Sequence, residues 1–425
     1  MAKKDNNPNK LTKAEKAWIL YDVGNSAYTM LACSLIPIWF KNLAIGTNAG
    51  QLSSDDATGM WSLATAIVTV VVAVIGPICG AIADRKDFKK PVFTTALAIG
   101  VICCILNGFA NNWVLFLALY VMTKIAYSSS LTFYDSMLND VTTEDRMDEV
   151  SSYGYAWGYI GSCAPFMVAL IFYVLDYMLG KVSPSLARIV GFTVTAIWWL
   201  CVTLPLLKNY KQINFVEVEK GAVKRVFSQI LGTIKKIATK DKKVLLFLIA
   251  FFLYIDGVGT IIDNCINIGT DLGLDTVGQV IFLLATQVVA WLFSLLFAKL
   301  SKKYKTVDLI TVCIAGYFLV CVYALTLKKL YQFGIMAFMV GMFQGSIQSL
   351  SRSYYSKIIP AENSGEYFGI YDIFSKGASF LGSALIAAVK FAGGTINIAV
   401  ASLTVFFALG FILLRVADKT PERAS

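Results

Sequence analysis

Long apolar runs alternate with short polar turns along this chain, and the runs are too long for soluble core helices. A hydrocarbon core about 30 Å thick takes roughly 20 apolar residues per helix. On that measure the pattern predicts about twelve membrane spans, at 15–44, 58–83, 91–110, 112–139, 151–178, 186–207, 243–269, 276–298, 306–327, 330–357, 365–390 and 394–416. The runs are apolar throughout, whereas the strands of a membrane β-barrel alternate over about ten residues. The predicted class is an all-α integral membrane protein. Ahead of the first run, Thr12 and Glu15 have capping-box spacing, which starts a helix near Lys13. The polar opening is too long for a secretory signal.

The longest polar stretch between spans, 208–242, divides them six and six. The expected domains are therefore 1–207, a linker over 208–242, and 243–425. In the linker, Val226, Phe227, Ile230, Leu231, Ile234 and Ile237 mark one helix face with lysines opposite. That pattern suits a helix in the inner headgroup layer, and equally a solvated helix resting on the protein. The halves also repeat faintly. "YDSMLNDV…SSYGYAWGYIGS" joins spans four and five, and "YYSKIIPA…GEYFGIYDIFSKGAS" joins spans ten and eleven. Ser136 then matches Ser356, and Tyr153-Gly154 matches Phe368-Gly369. Six plus six with internal repeats is how many secondary transporters are built.

Composition agrees with the membrane reading. The 425 residues are 57% hydrophobic and 15% charged, against about 45–50% and 25% in soluble domains. All nine cysteines fall inside predicted spans with no Cys-x-x-Cys pair, so they read as apolar fillers. There is no histidine, which removes imidazole catalysis and the common zinc sites. No metal and no cofactor is expected, and any proton carrier must be a carboxylate. The net charge is +10. With the N-terminus in the cytoplasm, inner segments hold 28 Lys and Arg and outer loops hold six. That asymmetry fits the positive-inside rule with both termini cytoplasmic. The basic excess then belongs to topology and anionic lipid headgroups, and nucleic acid is not an expected partner.

Residues 80–90, "GAIADRKDFKK", close span two. This stretch resembles the G-x-x-x-D-R-x-x-x-[KR]-[KR] loop of the major facilitator superfamily. Gly80, Asp84, Arg85, Lys89 and Lys90 carry the match and are the expected conformational latch. Gly80 permits close helix contact, and Asp84 can cap a neighbouring helix N-terminus. The corresponding stretch in the second half, "FAKLSKKYK", keeps lysines but lacks the aspartate, so a latch there has to work differently.

A charge deep in the bilayer costs at least about 2.5–3.5 kcal/mol, so the charges inside the spans mark candidate chemistry. They are Asp22, Lys124, Asp135, Asp256, Asp263, Arg352, Asp372 and Lys376. They fall on spans one, four, seven, ten and eleven. In the fold that the resemblance implies, spans one, four, seven and ten line the central cavity and eleven flanks it. Helical spacing groups Asp22 with Asn25 and Ser26, Lys124 with Ser128 and Asp135, and Asp256 with Thr260 and Asp263. Gln344, Gln348 and Arg352 form an i+4 ladder. Asp372 and Lys376 can pair along their own helix. Asp135 and Arg352 sit near inner helix ends, where they could bridge the halves. Asp263 lies towards the outer mouth. Asp256 precedes Gly257 and Gly259, which could unwind the helix and free carbonyls for a cation or proton. Tyr254 beside it is a candidate ligand contact or a packing residue.

Four stretches are together similar to the "unknown major facilitator" family: "WILYDVGNSAY", "FYDSMLNDVTTEDRMDEVSSYGYAWGYIGS", "FLIAFFLYIDGVGTI" and "QSLSRSYYSKIIPAENSGEYFGIYDIFSKGAS". The resemblance implies the major facilitator fold, twelve helices in two six-helix bundles. The family's vacuolar amino-acid effluxer implies export of neutral amino acids. The expected function is a secondary transporter, not an enzyme. It would move a small polar or zwitterionic solute by alternating access, with proton coupling. It is expected as a monomer in the cell membrane. An amphiphile exporter and a non-transporting membrane sensor are the alternatives.

Overall fold

The computed structural model describes residues 10–45, 52–177, 180–217, 222–376 and 380–421. Among these, twelve helical segments are long and apolar enough to cross a membrane. Spans one to six are Lys13–Ile45, Ser54–Ala83, Lys89–Gly108, Trp113–Val141, Glu144–Tyr177 and Pro184–Asn209. Spans seven to twelve are Lys242–Asp263, Ile281–Leu300, Thr306–Ala324, Leu330–Ile358, Ala361–Phe391 and Ile396–Lys419. Each lies within a few residues of its expected place except span five, which starts at Glu144 and not at 151, and span seven. That helix ends at Asp263 instead of running to 269, and a separate short helix, Cys265–Asp271, follows.

Several spans are broken helices, and two of the breaks have a proline cause. Span one breaks at Ser34, between Lys13–Cys33 and Leu35–Ile45. Pro37 has no N–H to return to the carbonyl of Cys33, and its ring crowds that carbonyl. Span five breaks at Ser162, between Met147–Gly161 and Cys163–Tyr177, and Pro165 does the same to Gly161. The start of span one is as expected. Thr12 Oγ1 accepts from the Glu15 N–H at 3.1 Å, and the Thr12 N–H reaches Glu15 Oε2 at 2.7 Å.

The apolar interior forms two large clusters. One is built from spans one to six around Trp18, Tyr21, Tyr28, Tyr134 and Trp199. The other is built from spans seven to twelve around Phe251, Tyr254, Tyr317, Tyr355 and Phe407. Trp18 stacks on Tyr134 with ring centroids 4.3 Å apart, and Phe251 stacks on Tyr371 at 4.2 Å. The outward faces carry bare Val, Leu, Ile and Phe side chains, such as Val70, Ile102 and Val405, as lipid-facing helices do.

The halves meet where span two packs on span eleven and span five on span eight. The first contact is backbone against backbone. A Cβ on Gly369 would fall 2.5 Å from Pro77 Cα, and a Cβ on Gly80 would strike the Gly365 carbonyl. Small residues let membrane helices approach this closely. The linker helix, Ala222–Thr239, lies across the same end of the molecule. Val226 and Ile230 press on Ala81, Ile78 and Ile82 of span two, and Ile237 joins the second core. Phe227, Leu231 and Ile234 remain exposed. One edge of its apolar face therefore rests on protein and the other does not.

Gly369→Ala should lower the thermal unfolding midpoint by the equivalent of about 1–3 kcal/mol, the usual cost of overpacking. Gly59→Ala, with open space around its Cβ position, should not lower it. Paired melting curves in one detergent check both.

Candidate functional site: a charged clamp between the halves

Arg352 on span ten reaches out of the second half into a cage supplied by the first. Its Nη1 donates to Asp135 Oδ1 at 2.9 Å, and its Nη2 to Asp22 Oδ2 at 3.1 Å. Nε donates to Ser151 Oγ at 3.0 Å, and Nη2 also to the Ser151 carbonyl at 3.1 Å. The guanidinium carbon lies 4.6 Å from the ring centroids of Trp18 and Tyr155 and 5.3 Å from that of Tyr134. A planar, permanently charged fork suits both the paired carboxylates and the aromatic walls. Gly154 makes the space, since a Cβ there would strike Asp22 and fall 3.2 Å from Arg352 Nη2. Arg352 and Asp22 are both buried.

Further groups extend the cluster. Asn25 Nδ2 donates to Asp22 Oδ1 at 3.2 Å. Thr132 on span four donates to Asp372 on span eleven, a second polar crossing between the halves. Gln348 Nε2 bonds the Gln344 carbonyl at 3.0 Å, one turn from Arg352. The structure thus brings Asp22, Asn25, Asp135 and Arg352 together, and it bonds Asp372 to Thr132. Two carboxylates, Asp22 and Asp135, share one guanidinium. Lys124 stands apart, eleven residues or roughly 16 Å along span four from Asp135. It is half-buried over the rings of Tyr127 and Tyr28, at 5.2 and 5.9 Å. The Lys376 side chain lies outside the described residues.

Span seven requires a correction. Gly257 and Gly259 do not unwind it, because the helix is continuous from Lys242 to Asp263. Gly257 instead seats the ring of Phe407, 2.7 Å from where its Cβ would be. No backbone carbonyl is freed beside Asp256. Its carboxylate accepts the N–H groups of Leu381 at 3.0 Å and Gly382 at 2.6 Å. Both residues lie at the beginning of the described helical stretch Phe380–Phe391. Tyr254 donates to or accepts from Ser351 Oγ at 2.6 Å inside the second core. Asp263 is exposed at the end of its helix.

The latch loop closes on the start of span eleven. Asp84 Oδ1 accepts from the Gly365 N–H at 2.7 Å, and Oδ2 from the Glu366 N–H at 2.8 Å. Lys89, wholly buried, donates to Ser364 Oγ at 2.9 Å and faces Asp84 at 3.6 Å and Asp140 at 3.5 Å. Arg85 is buried while Lys90 is exposed. Asp140 also accepts from Tyr210 Oη at 2.6 Å and the Asn214 N–H at 2.8 Å, which ties the linker's first residues to the loop.

The second half has a counterpart with its charges exchanged. Here the acids are on span five. Asp148 accepts from Thr306 Oγ1 and Ser353 Oγ, each at 2.6 Å, and from Lys357 Nζ at 2.7 Å. Lys302, in the loop after span eight, pairs with Glu149 at 2.8 Å. In the first latch the loop brings the acid and span eleven brings backbone donors. In the second the loop brings the base and span five brings the acids. Sequence reasoning did not single out Ser151, Tyr155, Asp148 or Thr306. In the repeat that matches Gly154 to Gly369, Asp148 and Glu149 fall opposite Asn363 and Ser364 near the start of span eleven, and that correspondence was the available signal.

The whole arrangement can now be set beside known proteins. Residues 12–423 match the family described as "Vacuole effluxer Atg22 like". The chain belongs to that family. This Atg22-like chain is 37% identical to the "Uncharacterized MFS-type transporter YxiO" of Bacillus subtilis, over 95% of each chain. It is 26% identical to "Autophagy-related protein 22-1" of Sclerotinia sclerotiorum, over 64% of this chain and 50% of that one. The chain therefore spans about half the length of that fungal relative. In fold, it superposes on a major facilitator superfamily transporter, FucP, in the outward conformation, with a TM-score of 0.70 at 15% identity, over 96% of this chain and 98% of that one. A human organic anion transporter, MFSD10, gives 0.71 at 12%, over 95% and 100%. The Atg22-like protein is a multi-pass membrane transporter of the MFS type with two six-helix bundles, and not an enzyme.

Arg352→Ala leaves Asp22 buried and Asp135 half-buried without their cation, and removal of one partner from a buried pair costs about 3–5 kcal/mol. Its melting temperature should fall well below that of Arg352→Lys, which keeps the charge. Asp84, in the loop outside the spans, is pushed by burial from 3.8 up to about 6, against the pull of Lys89 and the Glu366 and Gly365 N–H groups. A raised value means that the closed latch holds the proton more tightly than an open, solvated one. Its contribution to closure is complete below about pH 4 and is lost as pH rises through about 6. Labels at Lys86→Cys and Glu362→Cys, both exposed, should report more closed latch at pH 5 than at pH 7.5. With Asp84→Asn added, that difference should vanish.

Proposed function

We propose that this chain moves a small zwitterionic solute, an amino acid, outward across the cell membrane by alternating access with proton coupling. Residues 1–207 and 243–425 are the two moving halves and 208–242 the linker between them. The lysine-rich face that bears the latches and both chain ends is cytoplasmic. The clamp and latches then describe a state closed to the cytoplasm. A monomer contains every part this reading needs.

The observation that carries the reading is Arg352 shared between Asp22 and Asp135 across the halves. Parting the halves separates one buried cation from its anions, and each needs a replacement charge. A zwitterion supplies both. Its ammonium can take the place of the guanidinium at Asp22 or Asp135, and its carboxylate can meet Arg352 or Lys124. A proton on one carboxylate does half of this, which gives a route to coupling. Asn25 and Gln348 furnish polar walls beside these groups, Asp372 adds a third acid, and Asp263 lies at the opposite mouth. Asp256 and Tyr254 keep their structural contacts through the cycle. The family's description as a vacuole effluxer supports carriage of a solute out of a compartment.

Purified protein in liposomes should exchange neutral amino acids and move them under an imposed proton gradient. Asp22→Asn and Asp135→Asn should each lose gradient-driven movement by at least about tenfold, while counterflow exchange persists. Wild-type protein that moves no amino acid in either direction would sink the reading.

A further inference from the structure

The linker helix Ala222–Thr239 is more than a tether. Successive residues of a helix are about 100° apart. Val226, Ile237 and Ile230 fall within about 40° of one another and are the three buried positions. Ile234, Phe227 and Leu231 continue the same apolar arc for about a further 100° and stand exposed. Lys235 follows at the edge of that bare arc. On the other side, a cleft of about 320 Å³ is lined by Gly232, Lys235, Lys236, Thr239 and Lys240. The helix thus has one apolar edge on protein, one apolar edge with no protein against it, and a basic cleft. A helix that is strongly amphipathic, with a bare aromatic and aliphatic row beside lysines, lies in the headgroup plane of a bilayer.

The helix is also joined to the latch. Gln229 Nε2 donates to Glu366 Oε2 at 2.6 Å. Glu366 is the residue whose N–H is held by Asp84. Val226 and Ile230 bear on Ala81, three residues before that aspartate. Whatever fixes the helix against the membrane therefore bears on the closed gate.

We propose that the linker helix is a binding site for anionic phospholipid, and that its occupation holds the latch closed. Phosphate headgroups fill the cleft of Lys235, Lys236 and Lys240, while Phe227, Leu231 and Ile234 enter the acyl boundary. Charge complementarity selects the occupant, because the cleft is basic and an exposed apolar arc of Phe227, Leu231 and Ile234 lies beside it. A soluble acidic partner would leave the apolar arc in water. The lipid contact stands independently of the transport reading, which is needed only for the meaning of a closed latch.

The test uses full-length protein in nanodiscs of phosphatidylcholine, with and without phosphatidylglycerol. A spin label at Leu231→Cys, in a background without the other cysteines, reports membrane depth through its accessibility to oxygen and to a polar relaxation agent. With phosphatidylglycerol the label should become oxygen-accessible, and the Lys86–Glu362 label pair should report more closed latch. Each lysine near an anionic surface adds about fivefold to partitioning. Lys235→Glu, Lys236→Glu and Lys240→Glu together should therefore abolish the response. Gln229→Ala should keep the insertion and lose the effect on the latch. If the cysteine-free background does not fold, wild type and the triple variant are compared by melting temperature, and phosphatidylglycerol should raise only the wild type. A label that stays water-accessible, or a triple variant that responds like wild type, overturns the proposal. None of these readouts requires transported solute, so failure here is distinct from failure of the amino-acid reading.

Discussion

A guanidinium held between two carboxylates in a membrane interior is the constraint on which this structure turns. Arg352 comes from one half, and Asp22 and Asp135 come from the other. Desolvation makes each of these groups costly alone and tolerable together. The halves are therefore bound less by the sum of their contacts than by a condition on charge. On the transport reading proposed above, they part only when something else balances the ions. Around that centre the protein spends aromatic surface rather than aliphatic. Trp18, Tyr134 and Tyr155 face the guanidinium, and an aromatic face is an apolar wall that still attracts a cation.

The two latches solve one problem with opposite charge assignments. In the first, an acidic loop residue grips the N-terminal N–H groups of span eleven and a buried lysine fills the gap. In the second, lysines from the loop and from span ten grip acids on span five. What the repeat preserves is the place of contact, not the identity of donor and acceptor. Gly154 and Gly369, equivalent in the repeat, both let the other half approach, one at Arg352 and one at Pro77.

Much of this was legible in the sequence because insertion into lipid is a strong filter. A span must be apolar over about 20 residues, and a charge that survives there has a reason. That filter placed the spans and marked Asp22, Asp135 and Arg352 as candidate chemistry, while the loop over 80–90 was read from its resemblance to the major facilitator motif. The filter could not place the ends of broken helices, where Pro37 and Pro165 act within otherwise apolar runs. It also misread Asp256. Two glycines beside an aspartate suggested an unwound helix, but one glycine serves the packing of Phe407, which is distant in sequence. Whether a glycine accommodates a bend or a neighbour depends on that neighbour. The exchanged polarity of the second latch was hidden for the same reason, since matching a motif by residue type overlooks its charge-reversed form.

Two aspartates each hold a pair of backbone N–H groups on span eleven. Asp84 holds Gly365 and Glu366 from the other half, and Asp256 holds Leu381 and Gly382 from within the same half. Each carboxylate satisfies two donors at once, so the loss of either aspartate leaves two N–H groups in need of another acceptor. One stretch of span eleven is thereby tied to the first half and the next to the second, so any relative movement of the halves has to be taken up along this one span.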